Sequence, residues 1–123
     1  MTDRKPKALL VEDDAIVRMF VVDLLQDMRI DVIECWDEAG ALSSLRENPD
    51  IDLLVTDVSL SGSHGGVLAA QARRIHPALP VLFTTGHAQF QWADPVGEGA
   101  VEVLSKPIDV AAFEITVQRL LSR

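Results

Sequence analysis

Four clusters of polar residues each follow a short, mainly apolar run of this 123-residue chain. The runs cover residues 8–11, 51–56, 81–83 and 101–104, and the clusters that follow them are Glu12-Asp13-Asp14, Asp57, Thr84-Thr85-Gly86 and Lys106-Pro107. If the runs are parallel strands, the clusters emerge together at one edge of one sheet. That edge would hold carboxylates, hydroxyls and one amine, which together suit a divalent metal ion and a phosphoryl group.

The acids Glu12, Asp13 and Asp57 would repel one another at such an edge unless their charge is compensated. A divalent cation is the simplest compensation, and a small set of hard oxygen ligands favours Mg²⁺ or Mn²⁺. Solvated, metal-free acids are the alternative. With the charge neutralised, one carboxylate can attack phosphorus. Lys106 can supply a compact positive charge, and Thr85 can donate its hydroxyl to a phosphoryl oxygen.

Strand-like runs alternate with helix-like segments along the whole chain, which favours an α/β fold with a parallel sheet. Strands are predicted at residues 7–11, 31–35, 52–56, 80–84 and 101–104. Right-handed crossovers leave few arrangements of five such units. The leading arrangement is a five-stranded, doubly wound parallel sheet in the order 2-1-3-4-5 with helices on both faces, and its switch point lies between strands 1 and 3.

Apolar residues at i, i+3 and i+4 spacing predict the first and last helices. The predicted buried face of the first helix consists of Val17, Phe20, Val21, Leu24, Leu25 and Met28. That of the last consists of Val110, Phe113, Val117, Leu120 and Leu121. Asp109 is the predicted N-cap of the last helix.

Two further helices are predicted at residues 38–46 and 67–75, and a short fourth one around residues 89–93. Pro95, Gly97 and Gly99 disfavour a longer helix there. The stretch is interpreted either as a poorly ordered connection or as a face that changes with the state of the protein. The helix residues Arg18, Arg73 and Arg74 are expected to be solvated, and Asp14 is expected to be a surface acid.

Length and composition are typical of one globular domain, so residues 1–123 are expected to form a single domain with a core of about 7–121. The formal net charge of -8 would repel a phosphate backbone, which argues against nucleic-acid binding. Neither a stretch of about 20 apolar residues nor a signal peptide is evident, so no membrane association is expected. The single Cys35 cannot form an internal disulfide, which fits a cytoplasmic location.

The polar clusters and their spacing resemble the receiver domain of bacterial two-component response regulators. The resemblance extends over about residues 7–121. It is carried by Leu10-Val11-Glu12-Asp13-Asp14, by Asp57-Val58-Ser59-Leu60 with Gly65, by Thr85-Gly86 and by Lys106-Pro107. It implies the flavodoxin-like receiver fold.

The resemblance also assigns roles to individual residues. It implies that Mg²⁺ (or Mn²⁺) is held by Glu12, Asp13, Asp57 and the backbone carbonyl of Ser59. Asp57 matches the phosphoacceptor. Thr85 matches the hydroxyl that pairs with the phosphoryl group, and Lys106 matches the lysine that contacts it. The Lys106–Pro107 bond is expected to be cis on the same grounds.

Two positions depart from the family pattern. Ser61 stands where receivers often have proline, so the loop at residues 61–66 is expected to be looser. Val103 stands where many receivers carry an aromatic switch residue, so a switch of that kind cannot operate here. Phe83, His87, Phe90 or Trp92 are the alternatives for reading the change.

The favoured interpretation is a phosphorylation-activated signalling receiver. A sensor histidine kinase or a histidine phosphotransfer protein would donate a phosphoryl group to Asp57, and the modified domain would switch its interactions with an unknown downstream protein. The domain would assist its own phosphorylation and dephosphorylation without turning over a free substrate, so it is not an enzyme in the usual sense. It would be either a stand-alone receiver or part of a larger regulator or hybrid kinase, and a weak homodimer is left open.

Three other interpretations compete with it. A receiver-fold interaction module that acts without phosphorylation is the main one, because Ser61 and Val103 depart from the pattern. A phosphohydrolase of the haloacid-dehalogenase type would have a second aspartate where this chain has Ser59. A flavodoxin-like cofactor domain would not carry acids after its first strand, because they would repel a phosphate.

Overall fold

The computed structural model describes residues 4–60, 62–86, 90–92 and 99–122 of the chain. Five strands form one parallel sheet: β1 (Lys7–Val11), β2 (Asp31–Cys35), β3 (Leu53–Asp57), β6 (Val81–Thr85) and β7 (Val101–Ser105). Their order is β2-β1-β3-β6-β7. Two short strands, β4 (Ser59–Leu60) and β5 (Ser63–His64), pair antiparallel in a separate ribbon after β3. Without this ribbon, the sheet has the predicted order 2-1-3-4-5.

Among the described residues, four helices connect and cover the sheet: α1 (Ala15–Asp27), α2 (Glu38–Glu47), α3 (Gly65–Ile75) and α4 (Val110–Leu121). Asp109 caps α4 as predicted, because its side chain accepts a hydrogen bond from the Ala112 N–H at 2.8 Å. A short helix around residues 89–93 was also predicted. Residues 90–92 are not helical, and the remaining residues of that range lie outside the described part.

Alternate residues of each strand face opposite sides of the sheet, and their side chains pack into two separate hydrophobic cores. Leu9 and Val11 of β1 belong to the core that α2 and α3 cover, whereas Ala8 and Leu10 belong to the core under α1 and α4. Because both faces are covered, all five residues of β3 and all five of β6 are buried. The positions of β3 and β6 are therefore fixed by packing on both sides.

Three sequence-based expectations about burial and boundaries need correction. Phe20 and Val110 were assigned to buried helix faces, yet both are 42% exposed. The third strand was predicted to end at residue 56, but it includes Asp57. A further ladder bond from the Val58 N–H to the Thr84 carbonyl follows it, at 3.0 Å.

No helix among the described residues is long and apolar enough to cross a membrane.

Candidate phosphoacceptor and metal site

The first polar cluster follows β1 directly, and the sheet ladder extends one residue into it. The Glu12 N–H donates to the Cys35 carbonyl at 3.1 Å, which continues the pairing of β1 with β2. The Glu12 side chain turns back over the sheet edge, is 2% exposed, and accepts a hydrogen bond from the Asp14 N–H. Asp14 is not merely a surface acid, because its side chain caps α1 by accepting from the Ile16 and Val17 N–H groups.

Asp57 ends the neighbouring strand β3 and is 8% exposed. One carboxylate oxygen, Oδ1, accepts from the Ser59 N–H at 3.2 Å, and the other, Oδ2, accepts from the Lys106 ammonium at 2.8 Å. Lys106 reaches this position from the end of β7, where its own N–H donates to the Thr85 carbonyl at 2.7 Å. The end of β7 therefore reaches the aspartate at the end of β3, and the end of β6 is linked to it through the Thr85 carbonyl.

Lys106 binds a second carboxylate as well, since its Nζ lies 3.2 Å from Oε1 of Glu12. Burial disfavours the charged ammonium, but hydrogen bonds and the charges of Asp57 and Glu12 outweigh it and raise the pKa of Lys106. Burial also raises the pKa of Glu12, and the hydrogen bonds from Asp14 and Lys106 offset only part of this effect. The site thus places more negative charge in a buried position than one lysine can neutralise.

Glu12, Asp13 and Asp57 each offer a carboxylate oxygen, and these oxygens all lie within 4.8 Å of one another. Three carboxylates beside one ammonium leave a local charge of about −2, and their oxygens are the hard ligands that Mg²⁺ prefers. The cluster is therefore suited to one divalent cation. Ser59 lies next to the cluster through its N–H, and the ligand role of its carbonyl stays a prediction.

Thr85 ends β6 beside Asp57, because Asp57 pairs in register with the preceding Thr84. Thr85 is 1% exposed. All six predicted site residues, Glu12, Asp13, Asp57, Ser59, Thr85 and Lys106, thus lie at the carboxyl edge of the sheet. The Lys106–Pro107 bond is cis, as expected.

In its described part, the loop after Asp57 contains the β4–β5 ribbon and leads into the first turn of α3. That the loop is looser for lack of a proline stays a prediction. His64 caps α3 by accepting from the Gly66 N–H at its Nδ1, at 2.9 Å. The Gly65 N–H donates to the Val58 carbonyl at 2.7 Å. A Cβ atom at Gly65 would collide with the Asp57 carbonyl, so the helix can begin this close to the aspartate only with glycine there.

Three of the four residues suggested as a substitute switch lie together. Phe83 makes edge-to-face contacts with Phe90 and Trp92, at centroid distances of 5.0 and 5.4 Å. The indole N–H of Trp92 donates to the Gly66 carbonyl at 3.1 Å. His87 and Ser61 lie outside the described residues. Val103 is 39% exposed on β7.

Two arginines expected to be solvated are less exposed than expected: Arg73 is buried and Arg18 is half-buried. Arg73 is 2% exposed: its Nε donates to the Leu79 carbonyl at 3.0 Å and its Nη2 to the Ala100 carbonyl at 2.8 Å. Arg18 on α1 donates from Nη1 to the Glu12 carbonyl at 2.8 Å. The sequence offered a signal for each. Arg73 falls on the apolar face of α3, beside the small residues Ala69 and Ala72. Helix side chains point toward the N-terminus of their helix, and for Arg18 this is the direction of Glu12.

The sheet order, together with the acid cluster at the switch point of the sheet, defines a class of protein. This class is the receiver domain. The chain belongs to the response regulator receiver domain family, whose pattern it matches over residues 8–118. Receiver domains of this family act in signalling by bacterial two-component systems.

Individual relatives agree with this assignment. The chain is 32% identical over 116 residues to the response regulator receiver protein CpdR of Brucella abortus, covering 94% of this chain and 96% of CpdR. It is 30% identical over 117 residues to the sensor kinase CckA of the same organism, but there it spans only 12% of the relative's length.

Solved structures show the same likeness. The receiver domain of the hybrid histidine kinase CckA is 33% identical with a TM-score of 0.80, and the match covers 94% of this chain and 98% of that domain. A response regulator receiver protein from Sinorhizobium medicae is 30% identical with a TM-score of 0.86, over 98% of each chain.

Proposed function

We propose that this chain is a receiver whose phosphoacceptor is Asp57 and whose phosphodonor is a histidine kinase or a histidine phosphotransfer protein. The observation that carries the proposal lies at the switch point of the sheet. There the carboxylates of Glu12 and Asp57 both lie within hydrogen-bonding distance of the Lys106 ammonium. The similarity to CckA, which is a sensor kinase, supports a donor of that class.

In the proposed transfer, a carboxylate oxygen of Asp57 forms a bond to phosphorus as the phosphorus–nitrogen bond of the donor histidine breaks. The imidazole leaves and takes up a proton, and Asp57 becomes an acyl phosphate. Lys106 already touches Asp57 and would bind the oxygens of the incoming group, because a fixed positive charge favours the spread of negative charge in the transition state. Thr85 would donate its hydroxyl to one of these oxygens.

Mg²⁺ would be held by Glu12, Asp13, Asp57 and the Ser59 carbonyl, with Mn²⁺ as a substitute. Bound there, it would supply positive charge to the phosphoryl oxygens and offset the repulsion between the carboxylates. Glu12 and Asp13 are then metal ligands only, and Asp57 combines this role with that of the nucleophile. The same groups would serve the slow hydrolysis of the acyl phosphate by water, so the domain would assist its own dephosphorylation.

The proposed module is a single domain over residues 1–123, with a core of about 7–121, that switches its contacts with a downstream protein when phosphorylated. It would work in the cytoplasm, where the ATP that charges a kinase histidine is available. With 19 acids against 11 basic residues, we propose no nucleic-acid partner.

The test is the intact mass of the protein after incubation with acetyl phosphate, with and without Mg²⁺. We expect one phosphoryl adduct that requires Mg²⁺ and is absent from Asp57→Asn. Asp23→Asn, the same change at an exposed position of α1, should keep the adduct. Labelling that persists in Asp57→Asn would refute the assignment of Asp57.

The second candidate is a receiver-fold interaction module that works without phosphorylation. It is favoured by Val103, which leaves β7 without the aromatic residue that many receivers use to report phosphorylation. Folded wild-type protein that binds Mg²⁺ but forms no adduct, with acetyl phosphate or with a phosphohistidine donor, would support this candidate.

A further inference from the structure

Arg18 lies just outside the acid cluster and contacts its backbone rather than its carboxylates. Its Nη1 donates to the Glu12 carbonyl at 2.8 Å. Its Nε lies 3.5 Å from Glu34, and its guanidinium lies over the ring of Trp36 at 5.8 Å. The side chain is 19% exposed. A carbonyl, a carboxylate and an aromatic ring thus all contact this guanidinium.

The bond to the Glu12 carbonyl acts on Asp13. This carbonyl belongs to the peptide unit that precedes Asp13, and Arg18 fixes the orientation of that unit. The peptide unit that follows Asp13 is fixed as well, because the Asp14 N–H donates to Oε2 of Glu12 at 3.1 Å. With both flanking units held, the direction in which the Asp13 side chain leaves the backbone is set.

We propose that Arg18 is a positioning residue for the divalent metal site. It holds the Glu12–Asp13 peptide so that both carboxylates face the ion before the ion arrives. The inference rests on the proposed metal role of Glu12, Asp13 and Asp57. Groups that orient metal ligands from outside the ligand set commonly change metal affinity about 10–100-fold when they are removed.

The charge of Arg18 makes this proposal testable by sign. A positive charge near the cluster repels a divalent cation, so removing it should tighten Mg²⁺ binding if charge were its main contribution. Removing a group that positions the ligands should weaken binding instead. The two effects have opposite directions.

The experiment is calorimetric titration of the EDTA-treated full chain with MgCl₂, using wild type, Arg18→Met, Arg18→Lys and the control Arg46→Met. Arg46 is an exposed residue in the last turn of α2, so its replacement removes one positive charge far from the contacts described. We expect the dissociation constant for Mg²⁺ to rise about tenfold or more in Arg18→Met. In Arg18→Lys we expect it to rise by a smaller factor, because an ammonium keeps the charge but not the planar fork. Arg46→Met should stay within about twofold of wild type.

Tighter or unchanged binding by Arg18→Met would overturn the proposal, as would wild-type affinity in Arg18→Lys. If Arg18→Met does not fold, Arg18→Lys alone decides. Failure of the wild type to bind Mg²⁺ would be a different result, because it would count against the metal site itself. Urea unfolding of each variant without Mg²⁺ separates a loss of affinity from a loss of stability.

Discussion

The strands β6 and β7 have a cation at each end, buried Arg73 at one and half-buried Lys106 at the other, and the two cations do different things. At the amino ends, Arg73 donates to the carbonyls of Leu79 and Ala100, which precede the two strands. At the carboxyl ends, Lys106 donates to the carboxylates of Glu12 and Asp57. These two acceptors of Arg73 in the described part of the chain are neutral, whereas Lys106 faces charges that an incoming group can share.

The pKa directions express the same difference. Burial lowers the pKa of Arg73. The pKa of Lys106 is raised in spite of burial, because its carboxylate partners more than compensate. A buried cation bonded to carbonyls holds elements together, whereas a half-buried cation between carboxylates is a site where charge can be rearranged. Replacing each cation should therefore affect a different property.

Lys106→Met should produce the largest change, in the rate of phosphorylation. Loss of a donor aimed at developing negative charge commonly slows a reaction about 10²–10³-fold, and we expect a loss in that range with acetyl phosphate as donor. Intact mass followed over time measures it. Lys5→Met removes a lysine at the amino edge, paired with Asp31 at 3.5 Å, and should react at the wild-type rate. A Lys106→Met rate within threefold of wild type would contradict the role of Lys106.

Arg73→Met should affect stability and leave phosphorylation unchanged within about twofold. It removes the hydrogen bonds to the Leu79 and Ala100 carbonyls, although the Ala100 carbonyl keeps the Val81 N–H as a donor. It also removes the cation–π contact with Trp92 at 5.2 Å. We expect a loss of about 2–3 kcal/mol in the free energy of unfolding, measured with urea. The neighbouring Arg74→Met, at an exposed position, should stay within about 0.5 kcal/mol of wild type. Slow phosphorylation of folded Arg73→Met would show that the two ends are coupled.

The smallest effect concerns pH and belongs to the carboxyl end alone. Because the pKa of Glu12 is raised, folded protein keeps this proton at pH values where unfolded protein has released it. The free energy of unfolding of the metal-free protein should therefore fall as the pH rises above 4.5, the ordinary value, through the raised pKa. For one proton, the free energy of unfolding cannot change by more than about 1.4 kcal/mol per pH unit.

Glu12→Gln should remove this part of the pH dependence, and Glu47→Gln, an exposed acid on α2, should keep it. Urea unfolding in EDTA between pH 4.5 and 7 measures both. Arg73 stays charged throughout this range and contributes nothing to the difference. If the free energy of unfolding changes equally with pH in wild type and in Glu12→Gln, the pKa of Glu12 is not raised in the folded protein.

The contrast between the two ends also explains what could be predicted from sequence. The carboxyl end was predicted because acids, a threonine and a lysine that follow apolar runs are unusual, and the strand order brings them together. The amino end was missed because its acceptors are backbone carbonyls, which every residue has. Arg73 itself resembles the exposed Arg74 until the packing of α3 is known.

Other differences have local causes. The ribbon at residues 59–64 consists of two-residue strands, too short to leave a periodic pattern. Phe20 follows the helical spacing of buried residues but lies at the margin of its face, beside Ile16 and Pro107. Spacing predicts which side of a helix is apolar, but the neighbours decide where that side ends.

Gly65 has a consequence for genetics. It has no side chain, yet any residue with a Cβ atom there would press on the carbonyl of Asp57. A screen for variants that have lost signalling should therefore recover position 65 together with position 57. A list of functional groups would omit it. Tolerance to mutation in this protein is set by the room around the aspartate as well as by its chemistry.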